Sequence, residues 1–324
     1  MSLEIKTIGI LTSGGDAPGM NAAIRSVVRA AVFKGIRVMG IRRGFNGLIS
    51  DDMFEMNIRS VSEIIHRGGT VLYTARCLEF KTKAGIEKAR DNCNENGIDA
   101  LVVLGGDGTF RGAKEMSDAG IPCVGIPCTI DNDIACSDYS IGYDTALNTA
   151  MNMVDKLRDT AQSHDRCSVV EVMGHKSGYL AMTVGIACGA LAVLIPEIPY
   201  DMDRDLIDRM LFTQRTGKKH FIIVVAEGCG SAAEISEFIQ SRSGIETKAT
   251  ILGHVQRGGS PTVQDRYLAS LMGFRAIELL SEGIGRRAIA FKHGQLMDFD
   301  IEEALSMTKP LDKELLTISQ RISI

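Results

Sequence analysis

Tryptophan is absent from this 324-residue chain, aromatic residues make up only 5% of it, and no low-complexity segment or short-period repeat interrupts it. No apolar run approaches the roughly 18 residues of a membrane-spanning helix. The N-terminus lacks the charged-then-apolar pattern of a secretory signal, so a cytoplasmic protein with no membrane partner is expected. There is no basic excess: 36 Lys and Arg stand against 40 Asp and Glu, a net charge of −4. A nucleic-acid partner normally leaves a basic footprint and is therefore not expected, although local arginine clusters could still hold small phosphates. Eight cysteines, at 77, 93, 123, 128, 136, 167, 188 and 229, form neither a C-x-x-C pair nor a zinc spacing. That argues against a disulfide framework and for free thiols in a reducing compartment.

What is present is ordinary for a globular protein, 45% hydrophobic and 23% charged residues. The length suggests two domains rather than one. Strand-like and helix-like segments alternate along the chain, which predicts an α/β protein with largely parallel sheets and helices on both faces. Strands are expected over residues 8–11, 38–41, 100–104, 123–126, 168–172, 192–195, 221–226 and 248–252. Helices are expected over 20–33, 83–96, from 108 to about 119, 145–161 and 262–281. A strand and short helices complete the last forty residues.

The densest chemistry lies between residues 100 and 133. The apolar run 100–104 stops at Gly105-Gly106-Asp107-Gly108-Thr109. A glycine-rich turn opening a helix offers bare backbone N–H groups to phosphate, and Asp107 beside bound phosphates invites magnesium. The next run ends in Pro127-Cys128-Thr129-Ile130-Asp131-Asn132-Asp133. If this segment is extended, Asp131 and Asp133 share one side, one touching a metal through water while the other takes a proton from a hydroxyl. Glycine cradle, metal carboxylate and base carboxylate together form a phosphoryl-transfer layout. Each turn alone is also consistent with ordinary helix capping. Arg25 and Arg29, four apart, share a helix side, and Glu227 ends a strand where open α/β sheets bind ligands. His254 and Arg257, three apart, would share one side of a helical turn and suit a phosphate monoester.

GGDGT and PCTIDND, with TSGGDAPGMNAAIR near the start, VVEVMG in the middle and LGHVQRGGSP near the end, resemble the 6-phosphofructokinase family in content and order. The resemblance implies two Rossmann-like three-layer α/β domains, residues 1–142 with 256–305 binding nucleotide and 143–255 with 306–324 binding sugar phosphate. It implies transfer of the γ-phosphoryl group of ATP to fructose 6-phosphate with Mg2+, in a homotetramer whose sugar site is shared between subunits. By the same resemblance, Gly15, Arg76, Thr129 and Asp131 would be catalytic. Gly15, Arg76, Cys77, Gly105, Gly106, Asp107, Gly108 and Thr109 would bind the nucleotide, and Asp107 and Asp133 the metal. Sugar contacts would be Thr129, Asp131, Arg166, Met173, Gly174, His175, Glu227, Lys248, His254 and Arg257, with Arg166 borrowed from a neighbouring subunit. Arg25, Arg29, Arg59, Arg158, Gly189 and Lys218 would bind a nucleotide effector.

Some residues depart from the bacterial pattern. His175 and Lys248 stand where arginine is usual, which puts sugar affinity and choice in question. Cys128 replaces the glycine of nucleotide-dependent members or the lysine of pyrophosphate-dependent ones. Gly108 keeps the nucleotide-type residue, so ATP is the expected donor. Ile58, Leu191 and Thr216 replace charged effector contacts, predicting weakened or altered control by nucleotide diphosphate and phosphoenolpyruvate. Rival readings are a lipid or dinucleotide kinase, a pyrophosphate-dependent enzyme, and a non-catalytic sugar-phosphate sensor.

Overall fold

The computed structural model describes residues 5–323, the side chain of Lys313 apart. The chain divides into two compact units: one runs to Thr145 and resumes over Arg257–Lys309, and the other holds Ala146–Gln256 and the segment from Pro310.

In the first unit β1 (Thr7–Thr12), α1 (Met20–Phe33), β2 (Arg37–Ile41), α2 (Phe45–Ser50) and β3 (Met53–Met56) precede a long irregular segment. Then come α3 (Lys83–Glu95), β4 (Ala100–Gly105), α4 (Asp107–Asp118) and β5 (Cys123–Pro127). α5 (Tyr143–Ser163) carries the chain into the second unit, built from β6 (Cys167–Val172), α6 (Tyr179–Ala187), β7 (Ala192–Leu194), α7 (Asp208–Arg215), β8 (Phe221–Ala226), α8 (Ala232–Ser243) and β9 (Thr247–Ile251). After a 3-10 turn, α9 (Val263–Ser281), β10 (Arg287–Lys292), β11 (Gln295–Asp300) and α10 (Ile301–Ser306) complete the first unit, and α11 (Lys313–Ile322) ends the second.

The first unit's sheet has the order β11-β10-β5-β4-β1-β2-β3, parallel except for its two edge strands. β1 and β4 are buried along their whole length, which is why they read as unbroken apolar runs. Successive strand residues face opposite sides. Leu11, Met39, Ile41, Leu101, Val103 and Cys123 pack with Phe45, Phe110, Ala113 and Met116 of α2 and α4 on one face. The alternate residues Ile10, Val38, Val102 and Val124 are equally buried, and α1 and α9 pack together and against β2 and β5. The second unit's sheet, β7-β8-β6-β9, is wholly parallel. On it Val169, Phe221 and Ile223 pack against Met210 of α7 and Ile235 and Ile239 of α8, while α6 contacts β7 and β8. Both units are thus α/β with sheets that are largely parallel.

Three expectations need correction. The tail of the first unit holds two strands, not one. His293 (φ 52°) and Gly294 (φ 77°) turn the chain back in a two-residue hairpin loop, and β11 is a half-exposed edge whose sequence carries little apolar pattern. α4 starts at Asp107, one residue before the expected opening, so Asp107 occupies the first turn with Gly106 as its cap. The stretch after β5 is not extended: the chain turns at Ile130-Asp131, and Asn132 takes a left-handed conformation (φ 51°). Strand alternation therefore does not place Asp131 and Asp133 on one side.

Candidate functional site

In the first unit β1 is flanked by β2 on one side and β4 on the other. The connections leaving β1 and β4 diverge there, opening a crevice beyond the carboxyl ends of the strands, the place where open α/β sheets bind ligands. The loops after β1, β4 and β5 lie side by side and are stitched together. Ser13 N donates to Leu104 O at 2.9 Å, and Cys128 N to Gly105 O at 3.0 Å. The Thr109 hydroxyl donates to the Ser13 carbonyl at 3.1 Å. Buried Thr109 therefore holds the first loop against the second instead of presenting a free hydroxyl.

The glycines of the 105–108 turn serve different ends. A β-carbon on Gly105 would lie 2.3 Å from Thr109 Oγ1 and 2.4 Å from the Ser13 carbonyl oxygen, so close packing requires glycine there. A β-carbon on Gly108 would meet nothing within 4 Å, and the residue is exposed at the start of α4. That open ground beside a helix N-terminus suits an anion. At Gly15 a β-carbon would sit 2.9 Å from Arg257 Nη1, so the guanidinium lies directly on the first loop. Arg257 Nε is buried with no hydrogen-bond partner among the described residues, a donor suited to an anionic ligand.

The segment 66–77 is docked on the same crevice. Asn21, buried in the first turn of α1, donates to the carbonyls of Arg67 and Gly68 and accepts from Val71 N at 2.8 Å. The Thr12 hydroxyl donates to Tyr73 O, and the Thr74 hydroxyl to Gly14 O, each at 2.8 Å. Gly68 packs so tightly on Gly259 that a β-carbon would lie 2.3 Å from its carbonyl oxygen. This docking leaves Arg76 exposed two residues beyond the Gly14 anchor, with Cys77 half-buried beside it.

Asp107 pairs with Arg111 one helical turn on, at 2.8 Å. Both side chains are half-exposed, so the pair is weak and can open. Thr129 lies 3.8 Å from the β-carbon position of Gly106. Among the described residues no three acidic, histidine or cysteine side chains could enclose a metal. One or two carboxylates fit a magnesium ion that arrives with phosphates and keeps its waters, and do not fit an all-protein cage. Cys128 is buried, and burial pushes its thiol well up from the usual range, so it is a packing residue and not an oxidant-sensitive one.

Two residues that sequence reasoning missed hold these loops. Asp265, fully buried at the start of α9, accepts from the Tyr139 hydroxyl and Gly142 N at 2.6 Å and from Thr145 N at 2.9 Å. Lys309, half-buried, donates to the carbonyls of Asn132 at 2.8 Å and Asp138 at 3.4 Å. Burial pushes its ammonium down to about 8, although Asp138 and Asp133 pull the other way. Their partners lie more than a hundred residues away in sequence, where no local signal reaches.

In the second unit Met173, Gly174, His175 and Glu227 meet beyond the carboxyl ends of β6 and β8. Gly174 N donates to Glu227 Oε1 at 3.2 Å, and the N–H of left-handed His175 donates to the same oxygen. Glu227 thus clamps this loop through one oxygen. Arg166 and Lys248 are not part of the group. They lie by the amino ends of β6 and β9, where Arg166 Nε binds Glu246 at 2.6 Å and Lys248 Nζ binds it at 3.2 Å. Six residues of strand, roughly 20 Å at ~3.3 Å each, separate the two sets. His254 is on the 3-10 turn Gly253–Arg257.

The expected effector residues also form two groups. On α1, Arg25 and Arg29 stand together, and burial, then Arg29, lowers the Arg25 guanidinium's pKa. Arg59 is exposed on the segment after β3. In the second unit Arg158 donates to the Cys188 carbonyl beside left-handed Gly189. Burial first, and then Arg158, lowers the Lys218 ammonium's pKa. Leu191, just before β7, is buried in the hydrophobic core of the second unit.

Residues 7–280 match the model of the family described as Phosphofructokinase. The chain belongs to the phosphofructokinase family. It is 53% identical to the ATP-dependent 6-phosphofructokinase of Clostridium botulinum over 98% of this chain and all of that one. It superimposes on phosphofructokinase from Saccharomyces cerevisiae with a TM-score of 0.88 and 34% identity, covering 98% of this chain and 47% of that longer one. A pyrophosphate-dependent phosphofructokinase from Marinobacter aquaeolei shares the fold at a TM-score of 0.87 with 20% identity, covering 98% of this chain and 88% of that one. Likeness of fold alone therefore does not identify the phosphoryl donor.

Proposed function

We propose that this phosphofructokinase transfers the γ-phosphoryl group of ATP to the 1-hydroxyl of fructose 6-phosphate, giving fructose 1,6-bisphosphate and ADP. The observation that carries the reading is the alignment of the β1, β4 and β5 loops at one crevice, with open ground at Gly108 and a carboxylate after each of two adjacent strands. Gly108 also favours ATP over pyrophosphate, because an aspartate there would crowd and repel the α-phosphate. In this reading Asp131 takes the proton as the sugar oxygen attacks phosphorus, and ADP leaves in line. Gly15 and Thr129 position phosphate and sugar. Arg76, exposed and able to reach, neutralises charge on the migrating group, and Arg257, lying on the first loop, contacts the sugar phosphate. Magnesium, held by Asp107 with Asp133 ordering its water, would supply charge neutralisation at the phosphates.

Met173, Gly174, His175, Glu227 and His254 form the sugar side of the reading. Arg166 and Lys248, at the far end of their sheet, would reach the sugar phosphate of a second copy of the chain, which supports sites shared between at least two subunits, and family resemblance extends this to a homotetramer. The unit holding Asp107 would bind nucleotide and the other the sugar phosphate, in a cytoplasmic enzyme. Arg25, Arg29, Arg59, Arg158, Gly189 and Lys218 would hold a nucleotide effector, and buried Leu191 gives it no counter-charge, so control should be altered or weak. The test is a matrix of ATP, GTP and pyrophosphate against several sugar phosphates. Turnover with ATP and fructose 6-phosphate is expected, and turnover with pyrophosphate alone would overturn the donor assignment.

A further inference from the structure

The loop that carries Asp131 is closed on itself. The Ser140 hydroxyl donates to Thr129 O at 2.7 Å, and to Asn132 Oδ1 at 3.2 Å where its proton is shared, while Asn132 Nδ2 donates to Asp138 O at 3.1 Å. Asn132, just after the turn at Ile130-Asp131, takes a left-handed conformation (φ 51°), and its carbonyl belongs to the peptide that joins it to Asp133. Asparagine tolerates this conformation better than most residues but does not dictate it. What meets that carbonyl is the Lys309 ammonium, which also reaches the Asp138 carbonyl. Asp138 O therefore joins both residues in one knot. Lys309 faces the carboxylates of Asp138 and Asp133, so its charge opposes the mutual repulsion of an acidic loop.

We propose that Lys309 is a positioning residue for phosphoryl transfer, fixing the Asn132 peptide so that Asp131 and Asp133 on either side of it keep their reactive placement. It touches neither substrate in this account and acts through the loop backbone. Displacing a catalytic group by about 1 Å can cost on the order of a hundredfold in rate while leaving ground-state binding intact. Loss of Lys309 should thus lower kcat and spare KM.

The inference rests on Asp131 being the base, and the two are separable. The test compares wild-type enzyme, Lys309→Met, Lys309→Arg and Asp131→Ser in steady-state turnover of ATP and fructose 6-phosphate, with thermal denaturation alongside. Lys309→Met is expected to lose about tenfold to a hundredfold in kcat with both KM values within about threefold, and Lys309→Arg to recover most of the loss. If Lys309→Met does not fold, Lys309→Gln, a neutral donor of similar reach, is read the same way. A kcat within twofold of wild type in the neutral variant overturns the proposal. So does a fall in kcat that is wholly accounted for by loss of folded enzyme at the assay temperature, since that marks a purely structural lysine. Wild-type turnover in Asp131→Ser would instead remove the base assignment on which the inference stands.

Discussion

Gly105 and Gly108 stand three residues apart in one motif and are required for different reasons. At Gly105 the neighbouring backbone and Thr109 fill the space a side chain would need, whereas at Gly108 nothing of the protein does. Gly105→Ala is therefore expected to destabilise the fold by about 1–3 kcal/mol, the usual cost of overpacking, seen as a lower urea midpoint. Gly108→Asp should leave the midpoint unchanged or slightly raised, because an acid in the first turn of α4 suits the helix dipole. It should nonetheless raise KM for ATP by about tenfold or more, on the order of 1.4 kcal/mol of lost binding. Equal ATP kinetics in the Gly108→Asp enzyme would detach this position from the nucleotide. Sequence shows the glycines and the run of acids but not which glycine is packed and which is open. It also misplaces the geometry of Asp131 and Asp133, because an assumed strand alternation hides the turn at Asn132.

At the scale of elements, most strands and helices are legible because their apolar periods are clean: α1 occupies the expected residues, and β8 runs over Phe221–Ala226 as expected. What the sequence does not display is the tie between elements far apart in the chain. Asp265, whose backbone N–H donates to the capping hydroxyl of Thr262 at the start of α9, receives donors from the 139–145 segment on both carboxylate oxygens. Asp265→Asn would set an amide N–H2 against a backbone N–H whichever way it is turned. It is expected to cost about 2–4 kcal/mol, most of what Asp265→Ala costs, because buried donors lose their acceptor in either case. Chemical denaturation of the two variants checks this, and an Asp265→Asn protein as stable as wild type would contradict it. The hairpin of β10 and β11 escaped sequence reading for another reason: an edge strand with one open face carries no period to detect.

For the whole molecule, the division of residues matters more than their identity. Arg166 and Lys248 lie at the opposite end of the second unit's sheet from Glu227 and Met173, so a site using both sets needs two chains. An Arg166→Ala enzyme and a Glu227→Ala enzyme should each be nearly inactive. Dissociated, mixed and reassembled, they should recover a substantial fraction of wild-type turnover, because some sites then draw both intact residues from different chains. No recovery, with assembly verified by light scattering, would contradict a shared site. The order of motifs along the chain makes the family legible, but one chain's sequence cannot say which residues meet across copies.

All of this presupposes that the loop after β5 supplies the base for chemistry prepared by the loop after β4. The most direct measurement is the single-turnover rate of phosphoryl transfer by Asp131→Ser, with fructose 6-phosphate binding followed by calorimetry on the same protein. The account predicts a rate lower by roughly two to four orders of magnitude with sugar binding retained. A rate within about tenfold of wild type, below the usual weight of general-base catalysis, would contradict it.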